Sequence, residues 1–277
     1  MTAAPASAAT SNKLRILVIG AHPDDCEYLA GGVTALYTRL GHQVKLVSLT
    51  NGSAGGRELS GAALARVRSA EAHAAAKALG AESLVLDIDD GTLMPTYENR
   101  LEVIKIIREF QPDLVMTHRT NDYHPDHRYT GLLVQDAINM VIVGPLAPLT
   151  PRLSYIPVMV YLWDDFQKPY PFIPDIVVDV DEVYEQKLDG LEAHESQVYD
   201  LIFGKPDVPE EKRRAWLKEQ LEPEMAAPGI AHREKILQVY GKEKGEKIHY
   251  IEAFEVAEYG SKLTPEKRKR IFPFLPG

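Results

Sequence analysis

The sequence has few of the features that stabilise secreted proteins or hold proteins in membranes. Its 277 residues include a single cysteine, Cys26, so no disulfide can form within the chain and a cysteine-based zinc site is excluded. It has no run of about eighteen apolar residues, so no transmembrane helix is predicted. Residues 1–12 are small and polar and lack the basic and apolar regions of a secretory signal. We therefore predict a cytoplasmic protein without a membrane span and with a disordered N-terminus over residues 1–12.

Positive charge is also scarce. The chain has 31 Lys and Arg residues against 40 Asp and Glu residues, which gives a formal net charge of −9. This balance disfavours binding to nucleic acid or to an anionic membrane, so a small molecule is the expected partner. Because 45% of the residues are hydrophobic and 26% are charged, the composition is that of a globular protein. We predict one domain over residues 13–277, of which 205–277 is a C-terminal extension.

Short apolar segments alternate with helical segments in the first half of the chain. Strands are predicted at 14–20, 44–49, 83–86 and 114–117, and helices at 27–40, 64–79 and 101–110. Apolar strands separated by helices are typical of parallel sheets that are buried on both faces. The second half is less regular, with strands predicted at 159–162, 176–180 and 250–256 and a long helix at 183–203. The predicted fold is α/β: a Rossmann-like, doubly wound, mostly parallel sheet with helices on both faces and a C-terminal helical and β extension.

Two short motifs follow predicted strands. His22-Pro23-Asp24-Asp25 comes after the first strand, and His124-Pro125-Asp126-His127 comes after the fourth. Each places proline where a helix would begin, a position that proline favours, so the polar side chains lie at strand-to-helix turns. In doubly wound sheets the ligand binds beyond the carboxyl ends of the strands, where the strand order reverses. The two motifs are therefore expected to face one crevice.

The residue types of the two motifs suit a catalytic metal. Zinc takes three His, Asp or Glu ligands and keeps one position for water, and a further carboxylate or histidine is needed for proton transfer. Any three of His22, Asp25, His124 and His127 would satisfy zinc, so the residues alone leave the ligand set open. The competing interpretation is that the aspartates only cap helices, and the presence of the second motif weakens it.

The paired motifs resemble those of the PIG-L/LmbE family of zinc-dependent N-acetylglucosaminyl deacetylases. The resemblance extends to segments after the second strand, at the start of the next helix and late in the chain: Thr50-Asn51-Gly52, Arg68-x-x-Glu71 and Lys187…His194-Glu195-Ser196-Gln197. It covers about residues 14–200 and does not reach the extension. It implies that His22, Asp25 and His127 bind zinc. Two histidines and one aspartate with water also suit iron, so Fe²⁺ is the alternative ion.

The resemblance also implies roles for the residues beside these ligands. Asp24 would be the general base that takes a proton from the metal-bound water. His124 would stabilise the oxyanion, with Asp126 holding its ring and favouring the imidazolium form. Three further side chains are expected to bind substrate: Arg68, Asn51 and Asp122.

The implied reaction is removal of an acetyl group from an N-acetylated sugar or glycoside of the N-acetylglucosamine type. A zinc amidase that cleaves a larger acyl group, or an amide in a thiol conjugate, would have the same metal site. A non-catalytic Rossmann-like protein that binds a small molecule is a second alternative. A nucleotide-binding Rossmann protein would carry Gly-x-Gly-x-x-Gly after the first strand, whereas Gly20 is followed here by the His22 motif. Since bacterial relatives form rings or trimers, a homo-oligomer is expected.

Overall fold

In the computed structural model, which describes residues 13–276, seven strands form one sheet. Its strand order is β3-β2-β1-β4-β5-β7-β6. The strands are β1 (Arg15–Gly20), β2 (Gln43–Ser48), β3 (Glu82–Val85), β4 (Leu114–Thr117), β5 (Val158–Leu162), β6 (Ile176–Asp179) and β7 (Ile251–Val256). β1 to β5 run parallel to one another, and β7 runs antiparallel to its neighbours β5 and β6. The predicted doubly wound, mostly parallel sheet is confirmed. The predicted disorder of residues 1–12 lies outside the described residues.

Helices cover both faces of the sheet because the central strands are apolar on both sides. Ile16 and Val18 of β1 belong to one hydrophobic core, and Leu17 and Ile19 belong to the other. The first core lies under α1 (Asp25–Arg39) and α2 (Gly61–Ala78), against which α5 (Tyr184–Glu192) packs; the second lies under α3 (Tyr97–Phe110) and α4 (Pro125–Ile138). This alternation follows from the two-residue period of a strand.

The predicted helix over 183–203 is divided in the structure. α5 ends at Glu192, and a π-helix then spans Ser196–Ile202. The amide of Ser196 donates a hydrogen bond to Glu71 Oε1 on α2, at 2.8 Å, instead of continuing the α-helical ladder. A side chain from a neighbouring helix therefore sets the division, and a pattern of apolar residues cannot reveal it.

The C-terminal extension contains α6 (Glu210–Ala231), α7 (Arg233–Gly245), β7 and α8 (Pro265–Ile271). β7 lies between β5 and β6 in the sheet, so this part of the extension completes the sheet instead of lying beside it. Over residues 13–276 no helix combines the length and the apolar character needed to cross a bilayer.

α4 approaches the end of β4 closely at Gly131. A Cβ atom on Gly131 would lie 2.6 Å from the carbonyl oxygen of His118 and 2.9 Å from that of Arg119. Backbone atoms cannot rotate away as a side chain can, so the contact requires glycine. The approach sets the position of His124 and His127, which lie at the N-terminus of α4.

We expect Gly131→Ala to lower the free energy of unfolding by about 1–3 kcal/mol, since an added methyl group overpacks this contact. Urea denaturation measures the change. Gly144→Ala is the matched control, because its Cβ would lie 3.7 Å from the flexible Arg152 side chain. Equal stabilities of the two variants would contradict the proposed close approach.

Candidate active site

Side chains from the turns after β1 and β4 converge at the carboxyl edge of the sheet. His22 Nδ1 lies 3.1 Å from His127 Nε2 and 3.6 Å from Asp25 Oδ2. His127 Nε2 lies 3.5 Å from Asp25 Oδ1. The three side chains are 11–12% exposed. They form a compact, nearly buried set of two nitrogen donors and one carboxylate.

This set fits a zinc ion. Ligands of a tetrahedral zinc ion lie about 3.3 Å from one another, close to the three distances above. The second ring nitrogen of each imidazole also lies near a carboxylate, as is usual for zinc-binding histidines. His22 Nε2 is 3.3 Å from Asp90 Oδ1 and 3.4 Å from Asp126 Oδ2, and His127 Nδ1 is 3.2 Å from Asp122 Oδ2.

Other donors surround the same centre. Among the described residues, three overlapping groups bring one donor atom from each member within 4.8 Å of the others: His22 with His124 and His127, Asp25 with His118 and His127, and His22 with Asp90 and Asp126. Each group contains His22 or His127. The three groups therefore overlap at these two imidazoles, which lie 3.1 Å apart.

The backbone of the first turn holds the Asp25 carboxylate in place. Asp25 Oδ2 accepts hydrogen bonds from the amides of Ala21 and His22, at 2.9 and 2.8 Å. Burial raises the pKa of Asp25, but His127 and His118 outweigh burial and hold the pKa well below its usual value. Asp25 is therefore ionised and ready to bind a cation.

The His22 imidazole lies among carboxylates that make it strongly basic. Burial lowers its pKa, but the neighbouring carboxylates of Asp126, Asp25 and Asp90 outweigh burial and raise the pKa to about 12. A site that holds an extra proton so firmly has a surplus of negative charge. A divalent cation would compensate the same surplus, and it would have to displace that proton.

Asp24 lies beside these residues and is held differently. Its side chain makes no capping hydrogen bond to α1, and its φ of 138° is a conformation that favours glycine. Such strain is found at functional residues. Burial and the charge of Asp25 raise the pKa of Asp24 to about 6, whereas a bound cation would act in the opposite direction. Asp24 is thus a carboxylate that can exchange a proton near neutral pH.

His124 and Asp126 interact in a way that differs from the expected one. His124 Nδ1 accepts a hydrogen bond of 3.2 Å from the Asp126 amide, so the main chain orients the ring. The Asp126 carboxylate faces His22 instead and accepts a 2.7 Å hydrogen bond from the Gly91 amide. Burial and the charges of His22 and His127 lower the pKa of His124. Because Nδ1 accepts this hydrogen bond, the arrangement favours a neutral ring with its proton on Nε2 over the expected imidazolium.

Comparison with known proteins agrees with this geometry. The profile of the PIG-L family, described as GlcNAc-PI de-N-acetylase, matches residues 17–138. A diacetylchitobiose deacetylase from Thermococcus kodakarensis is 33% identical over 195 residues, which cover 66% of this chain and 70% of that protein. The chain belongs to the PIG-L family.

Two further similarities widen the comparison. A 4-oxalmesaconate hydratase from Pseudomonas putida is 27% identical over 190 residues, covering 65% of this chain and 73% of that protein. The structure of N,N′-diacetylchitobiose deacetylase from Pyrococcus horikoshii superposes with a TM-score of 0.69 at 26% identity, covering 88% of this chain and 84% of that one. PIG-L relatives of this chain therefore include both a hydratase and deacetylases.

In this PIG-L chain the Asp122 carboxylate contacts both histidines of the second motif. Its Oδ2 contacts His127 Nδ1, and its Oδ1 accepts a 2.9 Å hydrogen bond from the His124 amide. Burial raises the pKa of Asp122, but His127 outweighs burial and lowers it. Each carboxylate oxygen thus has a partner within the turn, and one of these contacts orients His127.

Asn51 and Arg68, the other expected substrate contacts, are buried. Asn51 Nδ2 donates to Asp87 Oδ1 and Asp89 Oδ1, at 3.3 and 3.2 Å, and so anchors the loop after β3. Arg68 is 2% exposed and donates from Nη2 to the Gly55 carbonyl at 2.6 Å. Both residues therefore hydrogen-bond to loops around the site.

Two site residues were not singled out by the sequence motifs. Asp90 reaches His22 because the loop after β3, anchored by Asn51, bends over the edge of the sheet. His118 is buried, its ring stacks on His127 with centroids 4.3 Å apart, and its Nε2 lies 3.1 Å from Asp25 Oδ2. The only available signal was their location after the third and fourth strands.

Because Asp122 orients His127, Asp122→Asn is expected to weaken zinc binding about tenfold to a hundredfold. Competition with a chelator of known affinity measures the change. Asp136→Asn is the control, since that side chain is 43% exposed and pairs with Arg100 at 3.5 Å on the surface. An unchanged affinity in Asp122→Asn would exclude His127 as a ligand oriented by this carboxylate.

Proposed function

We propose that this chain is a metal-dependent hydrolase that removes an acetyl group from an N-acetylated sugar of the N-acetylglucosamine type. The observation that carries the proposal is the convergence of His22, Asp25 and His127 beside a carboxylate, Asp24, that is not engaged by the helix. A metal centre next to a free base is the minimum needed to hydrolyse an amide with water. The similarity to diacetylchitobiose deacetylase supports this choice of substrate class.

The proposed ligands are His22, Asp25 and His127, and the proposed ion is Zn²⁺, with Fe²⁺ as the alternative. A zinc ion at such a site lowers the pKa of a water molecule to about 7 and polarises a carbonyl group. Two carboxylates, those of Asp90 and Asp126, contact the His22 ring, and Asp122 contacts the His127 ring. These contacts would hold the two imidazoles in orientation.

Asp24 and His124 would have separate roles in the reaction. Asp24 takes a proton from the attacking water as its oxygen bonds to the acetyl carbon. His124 donates from Nε2–H to the oxyanion that forms on the carbonyl oxygen, a role that suits a neutral ring whose Nδ1 already accepts a hydrogen bond. Asp24 returns its proton to the amine nitrogen as the carbon–nitrogen bond breaks, which releases the free amine and acetic acid. The acid then loses its proton to water and becomes acetate.

The charges around the site favour a neutral substrate over an anionic one. Carboxylates outnumber cationic side chains there, and the nearby Arg119 is also committed elsewhere: its side chain is 1% exposed and paired with Asp164. An N-acetyl sugar carries no charge that this surface would repel. The hydratase among the relatives acts on 4-oxalmesaconate, a carboxylate anion, and its activity is the second candidate.

Zinc content and acetate release from N-acetylglucosamine and N,N′-diacetylchitobiose test the proposal. We expect the wild type to bind one metal ion and to release acetate. Asp24→Asn should keep the metal and lose about 10²–10⁴ in kcat, because only the base is removed. His127→Ala should lose both, and Asp136→Asn should change neither.

Each other outcome has a definite meaning. Hydration of 4-oxalmesaconate without acetate release would replace the proposed reaction by that of the hydratase. If the protein binds metal but hydrolyses only amides of larger acyl groups, the substrate belongs to that class instead of the N-acetyl sugars. Full activity of Asp24→Asn would remove Asp24 from the role of base, and absence of metal after reconstitution would overturn the proposed centre.

Three further expectations from the sequence are also proposals. We propose that residues 13–277 form a single domain, that the protein is cytoplasmic and that it forms a homo-oligomer. Limited proteolysis, cell fractionation and light scattering test them in that order.

A further inference from the structure

An exposed aromatic ring adjoins the proposed site. Tyr123 lies in the turn between β4 and α4 and is 72% exposed. Its ring centroid is 5.7 Å from that of His124 and 5.7 Å from that of His127, in edge-to-face arrangements. The proposed reaction assigns no role to this ring. Single exposed aromatic residues are common on protein surfaces and need no function, but this one is held in place from two directions.

The first set of contacts fixes the main chain around Tyr123. Arg128, in the first turn of α4, donates from Nη1 to the carbonyl oxygens of Asp122 and Tyr123, at 2.7 and 2.9 Å. The amide of His124, the next residue, donates to the Asp122 carboxylate at 2.9 Å. The main chain on both sides of Tyr123 is therefore hydrogen-bonded, which limits the positions that the ring can take.

The second set of contacts brings another aromatic ring beside Tyr123. The Phe166 ring, from the loop after β5, has its centroid 6.3 Å from that of Tyr123. The Phe166 amide donates to Asp164 Oδ1 at 3.0 Å, and its carbonyl accepts from Arg119 Nη2 at 3.0 Å. Because the buried Arg119 follows β4 and pairs with Asp164, this ion pair holds the loop against the end of β4. The two aromatic rings therefore lie side by side at fixed positions.

Tyr123 lies on the solvent side of the two histidines. One face of the His127 ring is closed, because the buried His118 ring stacks on it with centroids 4.3 Å apart. Tyr123, in contrast, contacts both rings of the second motif and is open to solvent. A substrate whose acetyl group meets the His124 ring therefore has Tyr123 among its neighbours on the side from which it enters.

The face of an aromatic ring suits a sugar. One face of a pyranose carries several C–H groups, and these lose contact with water when they pack on an aromatic ring. Their partly positive hydrogens are also attracted by the negative face of the π-system. Tyrosine offers such contact area at a low cost in conformational entropy. The attraction needs no charge on the substrate, which agrees with the excess of carboxylates around the site.

We propose that Tyr123, supported by Phe166, determines substrate specificity by stacking on a sugar ring of the substrate. The inference rests on the proposed function, in which an N-acetyl sugar is hydrolysed. Stacking holds the sugar beside the histidines and provides binding that an amide without a sugar ring cannot obtain. The substrate class is thereby narrowed to N-acetylated amines whose nitrogen is carried by a sugar.

Two other roles of Tyr123 make different predictions. If the ring only supports the histidines, its removal would lower kcat and zinc content. If the hydroxyl transfers a proton, Tyr123→Phe would be as damaging as Tyr123→Ala. A stacking role requires the ring alone, and its contact is present in the bound substrate and in the transition state alike, so its loss raises KM and leaves kcat unchanged.

The experiment measures kcat and KM for N-acetylglucosamine and N,N′-diacetylchitobiose, together with inhibition by acetohydroxamate, a zinc ligand without a sugar ring. We expect Tyr123→Ala to raise KM about tenfold, with kcat, zinc content and acetohydroxamate inhibition unchanged. Tyr123→Phe should behave as the wild type. Phe166→Ala should also raise KM, with no further rise when it is combined with Tyr123→Ala, because the two rings act as one unit.

Tyr155→Ala is the matched control. Tyr155 is 42% exposed, and its hydroxyl donates to the Gln111 carbonyl. Both residues precede strands of the parallel sheet, at the edge opposite the proposed site. This variant should leave KM and kcat unchanged for both sugars.

An unchanged KM in Tyr123→Ala would overturn the proposal. A lower kcat or weaker inhibition by acetohydroxamate would also overturn it and leave a role in supporting the histidines. Equal losses in Tyr123→Phe and Tyr123→Ala would assign the effect to the hydroxyl. A change of oligomeric state in light scattering, with KM unchanged, would assign the ring to a contact between copies of the chain. Failure of the proposed function is distinguishable, because the wild type itself would then release no acetate.

Discussion

The site depends on the parallel pairing of β1 with β4. Two parallel neighbours end at the same edge of the sheet, so the turns that follow them open side by side although His22 and His127 are 105 residues apart. Hydroxyl groups secure these ends: Thr117 Oγ1 donates to the Ile19 carbonyl at 2.9 Å, and Thr50 Oγ1 donates to the Ala21 carbonyl at 2.8 Å. Without this register the two motifs could not share one centre.

A second constraint is electrostatic. The site contains more carboxylates than positively charged imidazoles, so part of its negative charge is not neutralised. Burying this charge costs free energy. Two kinds of contact reduce the cost. Main-chain amides donate hydrogen bonds to Asp25, Asp122 and Asp126, and the carboxylates around His22 favour protonation of its ring. A divalent cation satisfies the same requirement more completely. The charge distribution therefore suits the metal centre that we propose.

The fold and the convergence of the two motifs were predictable from the sequence because both have local causes. Apolar strands, helical segments and prolines at helix starts are properties of short stretches of chain. The roles of single polar residues were less predictable. Asn51 and Asp122 follow strands, as substrate-binding residues do, but their side chains contact the loop after β3 and the His127 ring instead. Asp126 adjoins His124 in the chain, yet its carboxylate faces His22.

The sequence by itself therefore determined the class of fold, the edge of the sheet that carries the chemistry and the residue types available there. Only the tertiary structure decided which carboxylate contacts which imidazole and that Asp90 and His118 join the site. The physical reason is that hydrogen bonds and charge interactions depend on distances of a few ångströms between segments far apart in the chain. Those distances are set by how loops and helices pack, as at Gly131, and no local pattern encodes them.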